Sequence, residues 1–477
     1  MVTHQRHAQQ AEEQMTAGET ESETEPLRLS IEEARIVALA AQGLLHPPVA
    51  DATLDNLHAM IERLGVLQVD TISVVERTQY LVLWSRLGAY DPALLDALLH
   101  PHRRVFEYWS HAASIVPMSD YPYYRHEMLR RGEERMWLGL KQWMRERPEV
   151  VRETLEAIRT RGPLASAEFE RDPAGVRANP WDWYGPKESR RALDVLWTLG
   201  DLMVHSRRAG QKVYDLRERI LAEAFAEGVP PDDALPTGEE TQRHFVRRTV
   251  RALGIVTPGW LWDYFRLGWP YGAAGHNGAR TTKRSGAVSA LQALAREGLV
   301  VPATVEGLRE PAFVDVERLP DLEWARASGK PTYTTLLTPF DSLIWDRKRA
   351  LELFDYTVAF EAYIVPEKRR YGYYSLAILH QGQLVGRLDP KMDRQTRQLL
   401  LRAMFLEPGA TPDDALLDGL AGCLRELARF LGARTITVER SEPKALARGL
   451  TKRLKQQAAA TRVPRRPRPL PVPIEAP

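Results

Sequence analysis

The sequence predicts an α+β fold in which three tandem helical modules, each ending in a β-hairpin, are followed by a small C-terminal β-barrel domain. Two observations predict it. A pattern of helices, a short apolar strand, a basic turn and a second strand recurs three times. From about residue 332, short runs rich in Tyr, Val and Ile replace that pattern. Helical periodicity and strand-like alternation are the main sequence signals of these two kinds of domain.

The composition is that of an ordinary soluble protein. The chain has 477 residues, enough for several domains, of which 44% are apolar and 27% charged. The net charge is only +2, so affinity for nucleic acid depends on local clustering of basic residues. The single cysteine, Cys423, excludes an intrachain disulfide and a cysteine-based zinc site. The sequence contains neither a signal peptide nor an apolar run of membrane-spanning length, which predicts a cytoplasmic protein with no membrane span.

The second repeat, assigned to residues 149–236, is the clearest. Residues 150–159 have helical apolar spacing, and residues 187–199 form a second helix with leucines inward and basic residues outward. Residues 201–205 and 212–216 have the pattern of two strands joined by a basic turn. Helix–turn–helix followed by a β-hairpin is the winged-helix plan, so the sequence predicts tandem winged-helix domains.

The first repeat is assigned to residues 29–148. A capping box at residues 30–33 opens a helix. A second helix over residues 54–64 and a short extended piece at 67–71 follow, and residues 105–116 supply the hairpin. The order of elements predicts a first winged helix.

The third repeat is assigned to residues 237–325. The predicted elements are helices over 241–253, 258–265 and 285–297, and strands over 299–305 and 310–316. The insertion at 272–284 is rich in glycine and carries Arg280, Lys283 and Arg284. It could cradle a phosphate, but we favour a mobile loop.

The C-terminal domain is assigned to residues 326–450. The predicted strands are 336–339, 356–364, 373–380, 383–388 and 435–439, and a helix covers 415–431. Gln381-Gly382 predicts a tight hairpin turn. Together these elements indicate a small β-barrel or curled sheet.

The two ends of the chain have low-complexity composition. Residues 1–28 are polar and acidic, which predicts a disordered N-terminal tail. Residues 451–477 form a basic tail that alternates Arg with Pro towards its end. That tail could touch phosphates or could be an ordinary solvated terminus.

Basic residues cluster in two places and predict a DNA-binding surface. The predicted contacts are Lys187, Arg190, Arg191, Arg207, Arg208 and Lys212 in the second module, and Lys368, Arg369 and Arg370 before a run of tyrosines. Basic side chains beside aromatic rings suit a nucleic-acid surface. A single outward arginine is more often merely solvated, so the prediction rests on the clusters.

The triplet Gln68-Val69-Asp70 is the strongest candidate for chemistry. On an extended segment Gln68 and Asp70 share one face, because side chains alternate. An amide and a carboxylate side by side can hold one water, and the carboxylate can take its proton or stabilise positive charge on a sugar. That pairing fits hydrolysis at an anomeric carbon. The alternative is that Asp70 caps the next turn and Gln68 is a surface amide, with a capping box at 73–76 opening a helix.

The other candidates are weaker. His111 lies in the presumed hairpin of the first module, where a buried, satisfied histidine is the plainer interpretation. His100 and His102 have no carboxylate or cysteine companions at metal-ligand spacing. The sequence has no P-loop, dinucleotide-binding glycine motif or nucleophile elbow. It therefore predicts no metal and no ATP or NAD cofactor.

Several short runs resemble the YcaQ/AlkZ-type winged-helix crosslink-repair DNA glycosylase family. They are residues 64–72, 106–117, 262–266, 337–347, 360–363 and 368–374. The resemblance covers about residues 29–440. It implies tandem winged helices and a β-barrel around a DNA channel, excision of N7-alkylated purines and unhooking of interstrand crosslinks in double-stranded DNA.

The same resemblance implies that catalysis falls on a Q-x-D motif, which here is Gln68 and Asp70. This form is typical of the broader YcaQ branch, associated with crosslinks from nitrogen-mustard-like agents. Ala112 departs from the pattern, because an acidic residue is expected after His111. No lysine lies in the motif, so we expect a monofunctional hydrolase without a Schiff base.

Two other functions remain open from the sequence. Winged helices most often serve transcription, so a DNA-binding regulator without catalysis is the main alternative. A nuclease is weaker, because it would ordinarily need a metal-binding carboxylate cluster. We expect a monomer, and we expect an open site facing the groove, because a crosslinked base cannot swing into a deep pocket.

Overall fold

The computed structural model describes residues 25–48, 52–131, 138–169, 188–208, 210–267, 279–327 and 329–458. Over these residues the chain has the mixed α+β fold that the sequence predicts, with helices packed against separate β-sheets. Most of the N-terminal tail and of the C-terminal tail, and the residue Lys187, lie outside the described residues.

The N-terminal strand β1 (Leu27–Leu29) and helix α1 (Ile31–Ala41) open the described chain. The predicted capping box is confirmed: Ser30 Oγ accepts the Glu33 N–H at 3.2 Å, and the Glu33 carboxylate accepts the Ser30 N–H at 2.7 Å. The assignment of this segment to the first module differs from the structure. β1 pairs in parallel with residues 303–305, and α1 shares a core with Ile255 and Trp260. The sequence pattern does not record which of three similar sheets an edge strand joins.

The first module contains a three-stranded sheet and its helices. Its elements are α2 (Leu54–Leu64), β2 (Leu67–Gln68), α3 (Thr78–Leu87), α4 (Ala93–Leu99), β3 (Val105–Trp109) and β4 (Ala113–Pro117). The strand order is β2-β4-β3. The capping box predicted at residues 73–76 is wrong, because α3 begins five residues later, after Arg77, which makes no side-chain cap. Residues 73–76 are instead held by the C-terminal domain, as described below.

The second module has the same strand order, β5-β7-β6. Two helices precede it within the residues assigned to the first module: α5 (Tyr121–Arg130) and α6 (Leu138–Glu146). Its own elements are α7 (Pro148–Arg161), β5 (Leu164–Ala165), α8 (Glu188–Leu199), β6 (Leu202–Arg208), β7 (Gln211–Leu216) and α9 (Arg217–Ala224). A short 3-10 turn (Ser166–Phe169) follows β5. The predicted hairpin is confirmed, with Val204 paired to Tyr214 in its centre.

The third module extends this plan by one strand. Its elements are α10 (Gly238–Leu253), β8 (Ile255–Val256), α11 (Ala279–Arg296), β9 (Val300–Val305), β10 (Ala312–Asp315) and α12 (Leu319–Arg326), and its sheet order is β1-β9-β10-β8. The helix predicted at 258–265 is wrong, since those residues form successive turns. Of the predicted glycine-rich loop, residues 279–284 lie in α11 and the part before residue 279 lies outside the described residues.

The C-terminal domain is built on a six-stranded sheet. Its elements are β11 (Thr334–Leu337), α13 (Arg347–Phe354), β12 (Leu376–His380), β13 (Gln383–Asp393), β14 (Gln398–Leu406), α14 (Asp414–Leu431), β15 (Thr435–Val438), β16 (Ser441–Glu442) and α15 (Lys444–Ala458). The order is β11-β12-β13-β14-β15, and β16 also pairs with β14. The predicted turn at Gln381-Gly382 is confirmed, and both residues have the positive φ that a tight hairpin turn requires.

Two predictions for this domain are wrong. Residues 356–364 form no strand, because Glu361 accepts backbone N–H groups of residues 370–372 and holds the segment as a loop. Helix α15 continues to Ala458, past the predicted boundary at residue 450. Closure of the sheet into a barrel stays a prediction, since the described strands pair along an open path.

A buried ion pair joins the first module to the C-terminal domain. Arg86 on α3 donates to both carboxylate oxygens of Asp341, at 2.5 and 2.8 Å, and neither side chain has solvent exposure. Gln42, just after α1, accepts from Arg86 at 3.2 Å and from Ser342 at 2.5 Å, and donates to the carbonyl of Ala252 at 2.6 Å. The pair is therefore satisfied on both sides and links three parts of the chain.

We expect Asp341→Asn to lower the free energy of unfolding by about 3–5 kcal/mol, because it leaves the buried Arg86 charge uncompensated. Urea unfolding followed by circular dichroism measures the loss. Glu367→Gln, which removes an exposed carboxylate from the same domain, is the matched control and should be neutral. A loss below about 1 kcal/mol for the Asp341 variant would show that the pair does not hold the domains together.

Candidate active site

Gln68 and Asp70 lie where a short strand leaves the first sheet. β2 pairs with β4 through Leu67 opposite Ile115 and Gln68 opposite Ser114. The Val69 N–H then donates to the carbonyl of Ala113 at 2.8 Å, which extends the pairing by one residue. Asp70 is the first residue beyond this pairing, so the rigid hairpin of the module sets its position.

The Asp70 carboxylate is half-buried and only partly engaged. Its Oδ1 accepts the Ile72 N–H at 2.7 Å, the turn-capping contact that the sequence left as an alternative. No partner for Oδ2 is found among the described residues. Burial raises the pKa of Asp70 above its ordinary value, while the bond from Ile72 acts in the opposite direction. One oxygen therefore fixes the group, and the other is available to a water or a substrate.

Gln68 supplies the second polar group. The residue is 9% exposed, and its amide makes no hydrogen bond within the part of the chain that the structure describes. The amide atoms are not among the fully buried side-chain atoms that lack a partner. Solvent therefore reaches the amide, which can bind a water or a ligand.

The C-terminal domain holds the loop that carries Asp70. Arg394 donates to the carbonyls of Ser73 and Val75, both at 3.0 Å, and the Met392 N–H donates to the carbonyl of Val74 at 2.9 Å. These contacts join residues more than three hundred positions apart. They explain why residues 73–76 do not begin a helix.

Tyr374 is a neighbour of the site that the sequence analysis did not single out. Its ring is fully buried and its hydroxyl bonds to Thr78 Oγ1 at 2.5 Å. Burial raises the pKa of Tyr374 well above its ordinary value, and the nearby charge of Asp70 adds to the rise. The tyrosine therefore stays protonated. Its place in a tyrosine-rich run was visible in the sequence, but its contact with Thr78, at the start of α3, depends on how the C-terminal domain packs on the first module.

His111 lies in the hairpin turn beyond β3. Its ring stacks on Trp345 with centroids 3.9 Å apart, and Nδ1 is 2.8 Å from the carbonyl of Asp263. Burial lowers the pKa of His111 to about 4, and the charge of Arg266 contributes. The histidine is therefore neutral near pH 7. These are the surroundings of a buried, satisfied histidine.

The predicted basic cluster of the second module divides into two groups. Arg190 and Arg208 are exposed and Arg191 is half-buried. Arg207 instead donates to both oxygens of Glu107 on β3, at 2.6 and 2.7 Å. Lys212 Nζ lies 3.1 Å above the ring of Trp197, and burial lowers its pKa to about 8. Arg207 and Lys212 thus take part in packing inside and between the first two modules.

The second predicted cluster lies on the loop that Glu361 holds. Lys368 and Arg370 are exposed, and the Arg369 guanidinium lies 5.1 Å from the ring of Tyr373. Tyr363 on the same loop is 90% exposed. This loop presents cations and an aromatic ring together at the surface.

The described residues contain no group of three or more His, Cys, Asp or Glu side chains arranged to hold a metal ion. In the same part of the chain, no helix is both long and apolar enough to cross a membrane.

Comparison with known proteins gives two results. Residues 61–430 match the sequence model of the family described as DNA glycosylase AlkZ-like. Among solved structures, the Streptomyces sahachiroi DNA glycosylase AlkZ matches with a TM-score of 0.53 and 17% identity, over 87% of this chain and 100% of that chain. At this identity the structural likeness shows a shared fold.

We expect the neighbouring arginines of β6 to behave differently when neutralised. Arg207→Gln leaves the buried Glu107 unpaired and should lower the free energy of unfolding by about 3 kcal/mol. Arg208→Gln should leave stability unchanged, because the side chain is 66% exposed and its ion pair with Glu168 is a surface pair. If Arg208 contacts a phosphate, its substitution lowers the slope of log K for DNA binding against log salt concentration by about 1.

Urea unfolding and fluorescence anisotropy with a labelled duplex at several salt concentrations measure the two effects. If Arg207→Gln retains wild-type stability and loses DNA affinity, Arg207 is a DNA contact and the structural role assigned to it is wrong.

Proposed function

The chain belongs to the AlkZ-like DNA glycosylase family, and on that premise we propose that it hydrolyses the N-glycosidic bond of N7-alkylated purines and unhooks interstrand crosslinks in duplex DNA. The observation that carries the proposal is the pair Gln68 and Asp70. A partly buried carboxylate with one oxygen available leaves the same sheet edge as an amide with no partner found among the described residues.

The chemistry follows from the charge on the lesion. Alkylation at N7 places positive charge on the purine and makes it a good leaving group, so the enzyme need not protonate it strongly. The C1′–N9 bond breaks and its electron pair goes to the purine. Positive charge then develops on the sugar, where the Asp70 carboxylate stabilises it.

Water completes the reaction. The water oxygen forms the new bond to C1′, and its proton passes to Asp70, whose raised pKa suits a general base. Gln68 orients the water through its amide. No lysine belongs to this motif, so the proposed product is an intact abasic site from a monofunctional enzyme.

The three modules are the proposed DNA-binding elements. Each sheet places its first short strand beside the last strand of the hairpin, the connectivity expected of a winged helix. In the second module α8 corresponds to the helix that enters a groove, which gives Arg190 and Arg191 a place on DNA. The exposed cations of the 368–370 segment suit a second contact with the phosphate backbone.

An open site is part of the proposal. A purine tied to both strands cannot rotate fully out of the duplex, so the catalytic groups must approach the helix. Asp70 retains solvent exposure. The small cavity between Phe245, Leu261 and Leu267 lies in the third module, and none of its lining residues belongs to the Asp70 loop. We propose that the enzyme acts as a monomer.

We expect Asp70→Asn to lower release of N7-methylguanine from alkylated plasmid by about 10²–10⁴-fold, the usual contribution of a general base. Asparagine retains the oxygen that caps Ile72, so the variant tests the charge and not the cap. DNA binding should be unchanged.

Asp91→Asn is the matched control. Asp91 also accepts the N–H two residues ahead, from Ala93 at 3.0 Å, but is exposed and lies outside the motif. A wild-type rate for Asp70→Asn would show that Asp70 only caps the turn and takes no part in catalysis. Absence of base release by the wild-type protein would favour a DNA-binding regulator.

The raised pKa of Asp70 predicts the pH dependence. Single-turnover excision should fall about tenfold per pH unit once the pH is below that pKa, because the protonated acid cannot accept a proton.

The same pKa shift predicts how Asp70 affects stability. Burial that raises the folded-state pKa favours the protonated form of Asp70, so the stability that this group contributes is present at low pH and is lost as the pH rises through the folded-state pKa. Asp70→Asn should therefore be at least as stable as wild type at pH 7. A lower melting temperature for the variant would contradict this.

A further inference from the structure

Helix α15 carries a row of cations that the excision site does not use. Lys444, Arg448, Lys452 and Lys455 are all exposed and lie at positions i, i+4, i+8 and i+11. This spacing places them along one face of the helix. No ion pair of these four is found among the described residues, whereas Arg453, on a different face, pairs with Asp414 and Asp418 of α14. We call the four residues the α15 cation row.

The fold fixes the position of this helix. Leu446 and Leu450 are fully buried. Gly449 lets α15 approach α14 closely, since a Cβ there would lie 2.6 Å from Leu417. The Ala447 N–H donates to Ser441 Oγ at 2.8 Å at the start of the helix. The α15 cation row is therefore presented by an anchored element, with its charges turned away from the core.

The charge of the chain is unevenly divided at this helix. Residues 444–477 hold nine of the 65 Lys and Arg and one of the 63 Asp and Glu, a net charge of +8. The preceding 443 residues therefore hold 56 basic and 62 acidic side chains, a net charge of −6. Six of those acidic residues and two of those basic residues lie in the N-terminal tail, residues 1–28, so residues 29–443 have a net charge of −2. A nearly neutral body supplies little long-range attraction to a polyanion.

We propose that the α15 cation row is an additional DNA contact, which binds backbone phosphates of duplex DNA separately from the Asp70 site. The row spans about 16 Å, at about 1.5 Å per helical residue. This length is enough for its side chains to reach several backbone phosphates. The family match ends at residue 430, before α15 begins. This inference rests on the proposed function only in taking duplex DNA as the ligand.

The test is the salt dependence of binding to an undamaged duplex of 30 base pairs, measured by fluorescence anisotropy. Each neutralised phosphate contributes about 0.9 to the slope of log K against log salt concentration. The variant K444Q/R448Q/K452Q/K455Q should lower that slope by up to about 3.6 and weaken binding at low salt. The charge-retaining variant K444R/K452R/K455R should keep the wild-type slope. Equal melting temperatures will show that both variants are folded.

Two further measurements separate this contact from catalysis. Single-turnover excision with enzyme in saturating excess should be unchanged in the glutamine variant, because the row adds affinity and no chemistry. Asp70→Asn should keep the wild-type slope, so failure of the catalytic assignment does not affect this test. A wild-type slope for the glutamine variant overturns the proposal. So does a variant that keeps duplex affinity but loses binding to single-stranded RNA or to vesicles of anionic phospholipid.

Discussion

The ion pair between Arg86 and Asp341 sets the relation between the two halves of the candidate site. Arg86 lies near the end of α3. The first residue of that helix, Thr78, is hydrogen-bonded to Tyr374 of the C-terminal domain. A buried charge needs its partner at short range, because the low dielectric of the interior makes an unpaired ion very costly. The pair therefore determines where α3 meets the C-terminal sheet. The loop with Asp70 contacts both of these parts, through Gln79 of α3 and Arg394 of the C-terminal domain.

The Asp70 site is a composite of distant segments. The hairpin of the first module fixes the strand that carries Gln68. Arg394, in the turn between β13 and β14, fixes the loop beyond Asp70. This arrangement pre-organises the carboxylate without closing it off from solvent. Partial burial has a cost to the charged form, which appears as the raised pKa. Perturbed pKa values of this kind are common at functional sites, and they also occur in structural polar clusters.

The distribution of cations shows two separate uses of positive charge. Arg207, Arg248 and Arg125 pair with carboxylates and connect elements from different parts of the chain. Arg190, Lys368 and the α15 cation row remain at the surface. The net charge of +2 therefore does not describe how the cations are used. Some arginines pair with carboxylates inside the fold, and a smaller set of cations is exposed at the surface.

The sequence by itself determined many of the local elements and placed Gln68 and Asp70 two residues apart on one short extended segment. Capping boxes, hairpin turns and apolar spacing are local signals, so the Ser30 cap and the Gln381-Gly382 turn were predictable. Tertiary structure alone decided which sheet β1 joins, why residues 73–76 do not start a helix, and how the Tyr374 hydroxyl reaches Thr78. Those outcomes depend on contacts between residues hundreds of positions apart, where burial and partner geometry outweigh local preference.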